Sequence, residues 1–507
     1  MMLTHHAAIH PAFTIAPIPE RLFGSFVEHM GRCVYGGIFE PGHPFADQDG
    51  FRRDVVDLVT ELGVRVVRYP GGNFVSGYDW EDGVGPRELR PSRLDLAWQA
   101  IETNQFGTNE FISWCRQLAV EPMLAVNLGT RGLRDACNLL EYTNHPSGTY
   151  YSDLRIAHGF PTAHKVRLWC LGNEMDGPWQ IGHKTADEYG RLAVETARAM
   201  HRIDPGVELV LCGSSNAQMP TFGAWEATVL DHAYDDVDYL SLHAYYEQGR
   251  DDRSTYLATS AKMDDFIESA AATVDHVRAK KRSTKKLKLS FDEWNIWRES
   301  DHPGQPDIPW SRSPNLIEQT YNAIDAVVFG SLMMSLLRHA DRVEIACLAQ
   351  LVNVIAPIRA EPSHQAWRQT IFHPFALTAR HVRGEVLRVE RTSAANTPTT
   401  KDGVDLIDLA ATHDPASGNI CILAVNRSEA AQVQLDVDLR PFPTGLTAHH
   451  EYLGGTGLGE SNSYAQPDLV SPARCIETKV IDGHLVASLP PVSWSMIRLS
   501  PRPAHPD

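Results

Sequence analysis

An eight-stranded α/β barrel followed by a β-sandwich is the fold this sequence predicts, and three observations predict it. Eight short apolar runs recur through the first two-thirds of the 507 residues. Stretches of helical periodicity separate them, the pattern of a parallel sheet built from βα units. After about Arg383 that periodicity fades, and closely spaced β-like runs between turn signals take over, as in a sandwich. The expected division is a barrel over 19–383 and a second domain from 1–18 plus 384–507, with Ala7–Ile18 adding a strand to the sandwich.

The eight runs are Leu22–Glu28, Val64–Tyr69, Pro122–Leu128, Val166–Gly172, Val207–Gly213, Val237–Tyr245, Leu287–Glu293 and Arg342–Gln350. Eight is the number a closed parallel barrel needs. Between them, Val55, Leu58, Val59 and Leu62 recur at helical spacing, and Gly63 supplies a stop. Phe111, Trp114, Cys115 and Leu118 repeat the pattern, and Thr185 with Glu188 has capping-box spacing. Ser313-Pro314 predicts the start of a helix running to about Arg338. In the C-terminal part, Ile420–Val425, Val433–Val437, Ile476–Val480 and Ser493–Leu499 read as strands, with turn signals at Asp402-Gly403 and Asp482-Gly483.

A net charge of -17 argues against nucleic acid as a partner, because phosphate binding needs a basic surface. No apolar run reaches the ~18 residues of a membrane span. Met1–His10 lacks the basic segment and apolar core of a secretory signal. The eight cysteines are scattered, several inside apolar runs, and none has metal or redox spacing. Together these predict a cytoplasmic protein with reduced thiols, no metal and no cofactor. The His5-His6 and His449-His450 pairs read as solvated, with no third ligand in a metal-like pattern.

Active sites of such barrels lie at the C-terminal ends of the strands. Here those ends are polar: Glu28, Asn73, Asn127, Asn173 with Glu174, His243 with Tyr245, Glu293, and Gln350 with Asn353. A polar group after an apolar run is either paired or chemically used. Glu174 and Glu293, at the ends of strands four and seven, can flank one glycosidic bond across the barrel mouth. A retaining mechanism needs about 5–5.5 Å between the carboxyls and an inverting one about 6.5–9.5 Å, and sequence spacing leaves both open. On strand six, Tyr239, Ser241, His243 and Tyr245 share one face by alternation, which aims His243 and Tyr245 at the site if that face looks inward.

Long motifs then narrow the reading. Arg68-Tyr-Pro-Gly-Gly-Asn-Phe-Val-Ser-Gly-Tyr-Asp-Trp80, Arg93-Leu-Asp-Leu-Ala-Trp98, Glu102-Thr-Asn104, Gly172-Asn-Glu-Met-Asp-Gly-Pro-Trp179, Ser241-Leu-His-Ala-Tyr-Tyr246, Phe291-Asp-Glu-Trp-Asn-Ile-Trp297 and Ala349-Gln-Leu-Val-Asn-Val-Ile-Ala-Pro357 resemble the intracellular α-L-arabinofuranosidases of glycoside hydrolase family 51. The resemblance runs over essentially the whole chain. It implies a retaining, exo-acting enzyme that releases L-arabinose from arabinan or arabinoxylan oligosaccharides. Glu174 takes the acid/base position and Glu293 the nucleophile position. Sugar contacts are implied at Glu28, Asn73, Asn173 and Gln350, with Tyr245 against the nucleophile and Trp98 and Trp297 lining the pocket. A jelly-roll-like C-terminal domain and a hexamer are implied as well. Two positions depart from the pattern: Arg298 stands where an aromatic is expected and His373 where tyrosine is.

Plainer readings stand beside these. Glu28 alone reads equally as an ion-pair partner, His243 as a satisfied core histidine or a hydrogen-bonding neighbour of the nucleophile, and Trp98 and Trp297 as packing residues. The rival activities are another retaining glycosidase on the same barrel, an endo-glucanase or β-xylosidase, and a catalytically silent sugar-binding protein. Few aromatics follow Glu385, so the second domain reads as structural rather than as a sugar-binding module.

Overall fold

Short β-branched and leucine-rich runs, each stopped by glycine or a polar loop, assemble into a closed parallel barrel. The computed structural model describes residues 3–248, 252–300, 309–391, 399–400 and 403–502. The long loops 247–260 and 298–310, which by sequence are placed to shape outer subsites, lie partly outside the described residues, as does Asp402 of one expected turn. The barrel strands are Gly24–Phe26, Val66–Tyr69, Glu121–Ala125, Leu168–Leu171, Glu208–Leu211, Tyr239–Tyr246, Lys288–Ile296 and Val343–Ala349. Each overlaps one of the eight predicted runs. The last strand pairs with the first through Cys347 and Gly24, which closes the ring.

Alternation along the strands separates two cores. Val66, Met123, Leu168, Cys170, Val210, Tyr239, Ile345 and Cys347 fill the barrel interior. Their neighbours Val67, Leu124, Trp169, Leu209, Leu240 and Leu348 point outward and pack against the surrounding helices. Below the interior layer, Arg21 closes the N-terminal end with 2.7 Å bonds to Glu121 and Glu208. The outer helices follow their sequence signals. Arg53–Leu62 buries Val55, Leu58, Val59 and Leu62 and ends on Gly63 at φ 83°, a left-handed cap open to glycine at no cost. Thr185 and Glu188 close a reciprocal capping box on Ala186–Ile203.

The expected helix from Ser313 begins later. It spans Ala323–Arg338, capped by Asn322 with Asp325 returning the bond. Ser313 and Ile317 instead have positive φ, 44° and 48°, and Ser311 pairs with Ala100 at the barrel mouth. A proline at a helix start is also compatible with a turn, and here the turn wins because Ile317 is needed in the wall of the central cavity.

Beyond the barrel ten strands form one continuous sheet, curled over itself into the jelly-roll-like second domain that the sequence predicts. Leu3–Pro17 joins its halves, antiparallel to Glu385–Arg391 and parallel to Val433–Asp438, with register shifts after Ile9 and Thr14 that let one long strand serve both. Of the expected run Ile476–Val480 only Lys479 and Val480 are strand, in Lys479–Ile481, and Ile476, just after the strand Ala473–Cys475, is exposed. One face of the curl closes over Ile9, Leu409, Ile422, Leu435 and Leu485. The other face, with Leu423, Val425, Trp494 and Met496, merges with the barrel core against helix Ala323–Arg338.

Gly330 sits at that seam. A β-carbon there would overlap the Trp494 ring, itself fully buried. Overpacking of this kind costs about 1–3 kcal/mol. Gly330→Ala is therefore expected to lower the Tm in thermal unfolding while the folded fraction keeps wild-type kcat.

Candidate active site

The carboxyl-terminal ends of the strands bring eight of the ten sequence-predicted site residues into one cavity of about 540 Å³. Glu28, Asn73, Trp98, Glu174, Tyr245, Glu293, Trp297 and Gln350 line it. Asn173 and His243 lie just behind the wall, buried at 1 % and 3 % exposure. Asn127 and Asn353, also at polar strand ends, serve the backbone instead. Asn127 Oδ1 accepts from the amides of Gly129 and Thr130, and Asn353 Oδ1 from that of Ala360.

Glu293 faces inward because strand seven is bulged. Ser290 lies opposite Ser241, yet the next pair is Glu293 opposite His243, so three steps on strand seven match two on strand six. Leu289 and Phe291 point to the outer core, and strict alternation would send Glu293 with them. The extra residue re-aims the chain, and both Asp292 and Glu293 turn toward the interior. Glu174 is placed by a different device. Gly172 has φ 91° and Glu174 has φ 42°, so the chain turns left-handed twice as strand four ends. A left-handed glutamate is uncommon and costs of order 1–3 kcal/mol, held here by the surrounding packing.

Fixed donors hold both carboxylates. Arg68 Nη1 donates to Glu293 Oε1 at 2.7 Å and the Tyr245 hydroxyl donates to Oε2 at 2.8 Å. Arg68 also donates from Nη2 to Asn173 Oδ1 at 2.7 Å, and its Nε lies 3.3 Å from Asp292. Burial and the charge of Glu293 keep the Tyr245 phenol far above its usual range, so it remains a donor. The indole of Trp179 donates to Glu174 Oε2 at 2.6 Å, and His243 Nδ1 lies 2.9 Å from Oε1. Burial opposes a charge on His243, but Glu293, Asp292 and Glu174 outweigh it and hold the imidazole up at about 10. Burial likewise works against the Asp292 charge, and Arg68 and His243 overcome it to keep that carboxyl below its ordinary range.

Oxygens of Glu174 and Glu293 and Nδ1 of His243 all lie within 4.8 Å of one another, buried, which is ligand spacing for a cation. The protonated imidazole already supplies positive charge there and offers an N–H, not a lone pair, to the carboxylates.

Glu28 forms the opposite end of the cavity. Its Oε1 accepts from the Phe74 amide and the Trp98 indole, both at 2.9 Å, and Oε2 lies 3.2 Å from the Gln350 amide nitrogen. The Gly71-Gly72 pair makes room for it: a β-carbon on either would come within 2.9 Å of the Glu28 side chain. Trp98 arrives on a hairpin, Arg93–Asp95 with Ala100–Glu102, whose turn is fastened by Asp95 accepting from the Ala97 amide at 2.9 Å. Asn173 reaches Asn73 at 3.4 Å, and the Tyr245 and Trp297 rings meet edge to face at 5.3 Å.

Sequence reasoning does not single out Arg68, Asp292 or Trp179 as site residues. Arg68 is legible in principle, since it shares the inward parity of Val66; Asp292 is not, because the bulge is invisible in the spacing. Arg298 turns away from the cavity and pairs with Asp325 at 2.9 Å, so its departure from the expected aromatic falls on the helix beside the site.

Comparison with known proteins now bears on this geometry. Two family models match, an α-L-arabinofuranosidase 1 domain over residues 58–262 and an α-L-arabinofuranosidase C-terminal domain over 292–493. An intracellular exo-α-(1→5)-L-arabinofuranosidase of Halalkalibacterium halodurans is 50% identical over 98% of this chain and 99% of its own length. A family 51 α-L-arabinofuranosidase structure from Bifidobacterium longum superposes with a TM-score of 0.93 at 46% identity, covering 98% of this chain and all of that one. The chain belongs to the α-L-arabinofuranosidases of glycoside hydrolase family 51. An arabinofuranosidase of Thermotoga maritima, solved as an arabinose complex, gives a TM-score of 0.86 at 32% identity over 98% of this chain. The barrel and the curled C-terminal sheet are thus those of family 51 arabinofuranosidases.

In this arabinofuranosidase, Glu28 is buried and has no cationic partner among the described residues. Burial first, and the Glu293 charge second, push its carboxyl up to about 8. The folded protein therefore holds a proton there that the unfolded chain releases near pH 4.5, and stability falls as pH rises from that value to about 8. Glu28→Gln removes this loss. The Tm of the variant is expected to exceed that of the wild type by a margin that widens between pH 5 and pH 8, while arabinofuranosidase activity drops. A constant margin across that range would count against a protonated Glu28.

Proposed function

We propose that the enzyme releases terminal α-L-arabinofuranosyl groups by double displacement, with Glu293 as nucleophile and Glu174 as acid/base. The observation that carries this reading is the approach of the two carboxylates, with oxygens within 4.8 Å across the cavity. Such an approach is nearer the spacing of about 5–5.5 Å that suits direct attack than the roughly 6.5–9.5 Å of an inverting enzyme.

In the first step Glu293, aligned by Arg68 and Tyr245, attacks the anomeric carbon as Glu174 protonates the departing oxygen. In the second, Glu174 takes a proton from water, which attacks the glycosyl-enzyme and frees L-arabinose. Glu28, Asn73, Asn173 and Gln350 supply hydrogen-bonding groups to the sugar hydroxyls, with Trp98 and Trp297 as apolar walls. One closed end, formed by Glu28, Trp98 and Gln350, supports exo action on arabinan or arabinoxylan oligosaccharides. The relatives named as intracellular exo-α-(1→5)-L-arabinofuranosidases support a cytoplasmic location and a terminal arabinosyl substrate.

Glu293→Ala is expected to bind substrate without turnover. Glu174→Ala is expected to lose roughly 10²–10⁴-fold in turnover and to recover part of it with azide on an activated aryl arabinofuranoside. NMR of the first-formed sugar is expected to show the retained anomer; an inverted product or wild-type rates in either variant would overturn the assignment. A hexamer, implied by the resemblance, predicts a light-scattering mass six times the 56.4 kDa chain.

A further inference from the structure

Trp98 stands at the Glu28 end of the cavity, on the hairpin of Arg93–Asp95 with Ala100–Glu102. A two-stranded hairpin alone is marginal in water, so its place depends on what fastens it. Within 93–102 the buried apolar side chains are Ala97, Trp98 and Ala100, whereas Leu94 and Leu96 are 59 % and 66 % exposed. The first arm reaches Asp82 through Arg93 Nε at 2.7 Å, an exposed ion pair of the kind that holds little. The second arm bridges to Ser311, whose carbonyl accepts from the Ile101 amide at 2.9 Å. Two buried polar links join the hairpin to the barrel, one from Trp98 itself and one from Glu102 at its foot.

Glu102 is 6 % exposed. Its Oε2 lies 2.8 Å from His29 Nδ1, and its Oε1 accepts from the Tyr35 hydroxyl and the Asn104 amide. Burial opposes a charge there, but His29 and these donors overcome it and hold the carboxyl below its ordinary range. His29 is itself fixed, with Nε2 at 2.7 Å from the Tyr69 hydroxyl and its ring stacked on Phe74 at 4.8 Å. The same Phe74 donates its amide to Glu28, and Glu28 takes the Trp98 indole. Two adjacent residues therefore hold one hairpin, Glu28 by the aromatic ring and His29 by the foot. The Glu102-Thr-Asn104 motif, idle in the chemistry above, has its place in this clamp.

We propose that Glu102 is a positioning residue: through His29 and Tyr35 it locks the hairpin so that Trp98 meets the arabinosyl ring. Glu102 does not line the cavity and acts only through Trp98. What a charged anchor supplies here is precision. A carboxylate that accepts from three fixed donors has one orientation, and a sugar pocket needs its walls set to within about 0.5 Å. This inference rests on the proposed contact of Trp98 with the sugar.

The test is a double-mutant cycle of Glu102→Ala and Trp98→Ala in the full chain, read as kcat/KM on an aryl α-L-arabinofuranoside. Misplacing a binding group by about 1 Å costs up to roughly 10²-fold. Glu102→Ala alone is expected to lose about 10-fold to 10²-fold, and inhibition by free arabinose is expected to weaken with it. In the Trp98→Ala background the same substitution is expected to cost less than about 2-fold, because the group it places is gone. Equal losses in both backgrounds overturn the proposal, since a role in general stability does not depend on the indole. Where Glu102→Ala does not fold, Tyr35→Phe takes its place in the cycle, with a smaller loss that again must vanish without Trp98. Trp98→Ala at wild-type kcat/KM would remove the contact with the sugar and the proposal together. An impaired Trp98→Ala with additive losses removes the anchor alone and leaves that contact standing.

Discussion

In the middle of the barrel the Arg68 guanidinium is 1 % exposed and fixes three groups from two other strands, Glu293, Asp292 and Asn173. Arginine suits the place because its planar fork presents several donors in fixed directions and does not give up its proton. Without a cation there, Asp292 and Glu293 would be adjacent anions in a site with almost no water, an arrangement a protein avoids by taking up protons. The charge on Asp292 therefore depends on this residue more directly than on any of the cavity walls. The other acidic groups divide around it. Glu28, beyond its reach, keeps a proton to about pH 8, while Asp292, beside it, stays ionised.

Two local departures from regular backbone bring the remaining chemistry to that cation. A bulge on strand seven turns two consecutive side chains inward, and a left-handed turn after strand four lifts Glu174 out of the strand direction toward the mouth. Neither is stable in isolation. Each is held by the closed hydrogen-bonded ring and by dense packing of Leu289, Phe291, Trp294 and Met175 behind it. The barrel thus acts as a rigid frame against which irregular backbone can be kept in place, which is how a site gains precision from a scaffold that is itself regular.

Much of this is legible in the sequence, for physical reasons that can be named. Eight runs buried on both sides must be apolar, so the barrel strands stand out. Alternation on strand six places His243 and Tyr245 on the face of Tyr239, and that face does look inward. The roles proposed for Glu174 and Glu293 come from their motifs, while their approach to one another needs coordinates. Asp292 is hidden because an inserted residue in a strand leaves no trace in periodicity. The start of the helix before Arg338 is misplaced because Ser313-Pro314 and Asn322 with Asp325 are both sound starts, and only the packing of Ile317 decides between them. The C-terminal strands are legible as a sandwich-like domain, but the long, bulged Leu3–Pro17 strand that joins its halves offers no local signal of its double duty.

That same strand sets an order of events during synthesis. Leu3–Pro17 leaves the ribosome well before its partners, Glu385–Arg391 and Val433–Asp438, which follow it by more than the length of the barrel. The barrel strands between can pair with near neighbours as they emerge, whereas this segment has nothing to bond to until late. Contacts this distant are slow to form and leave an unpaired edge exposed meanwhile. The arabinofuranosidase barrel is therefore expected to take shape while the Leu3–Pro17 segment made before it still waits for strands made after it.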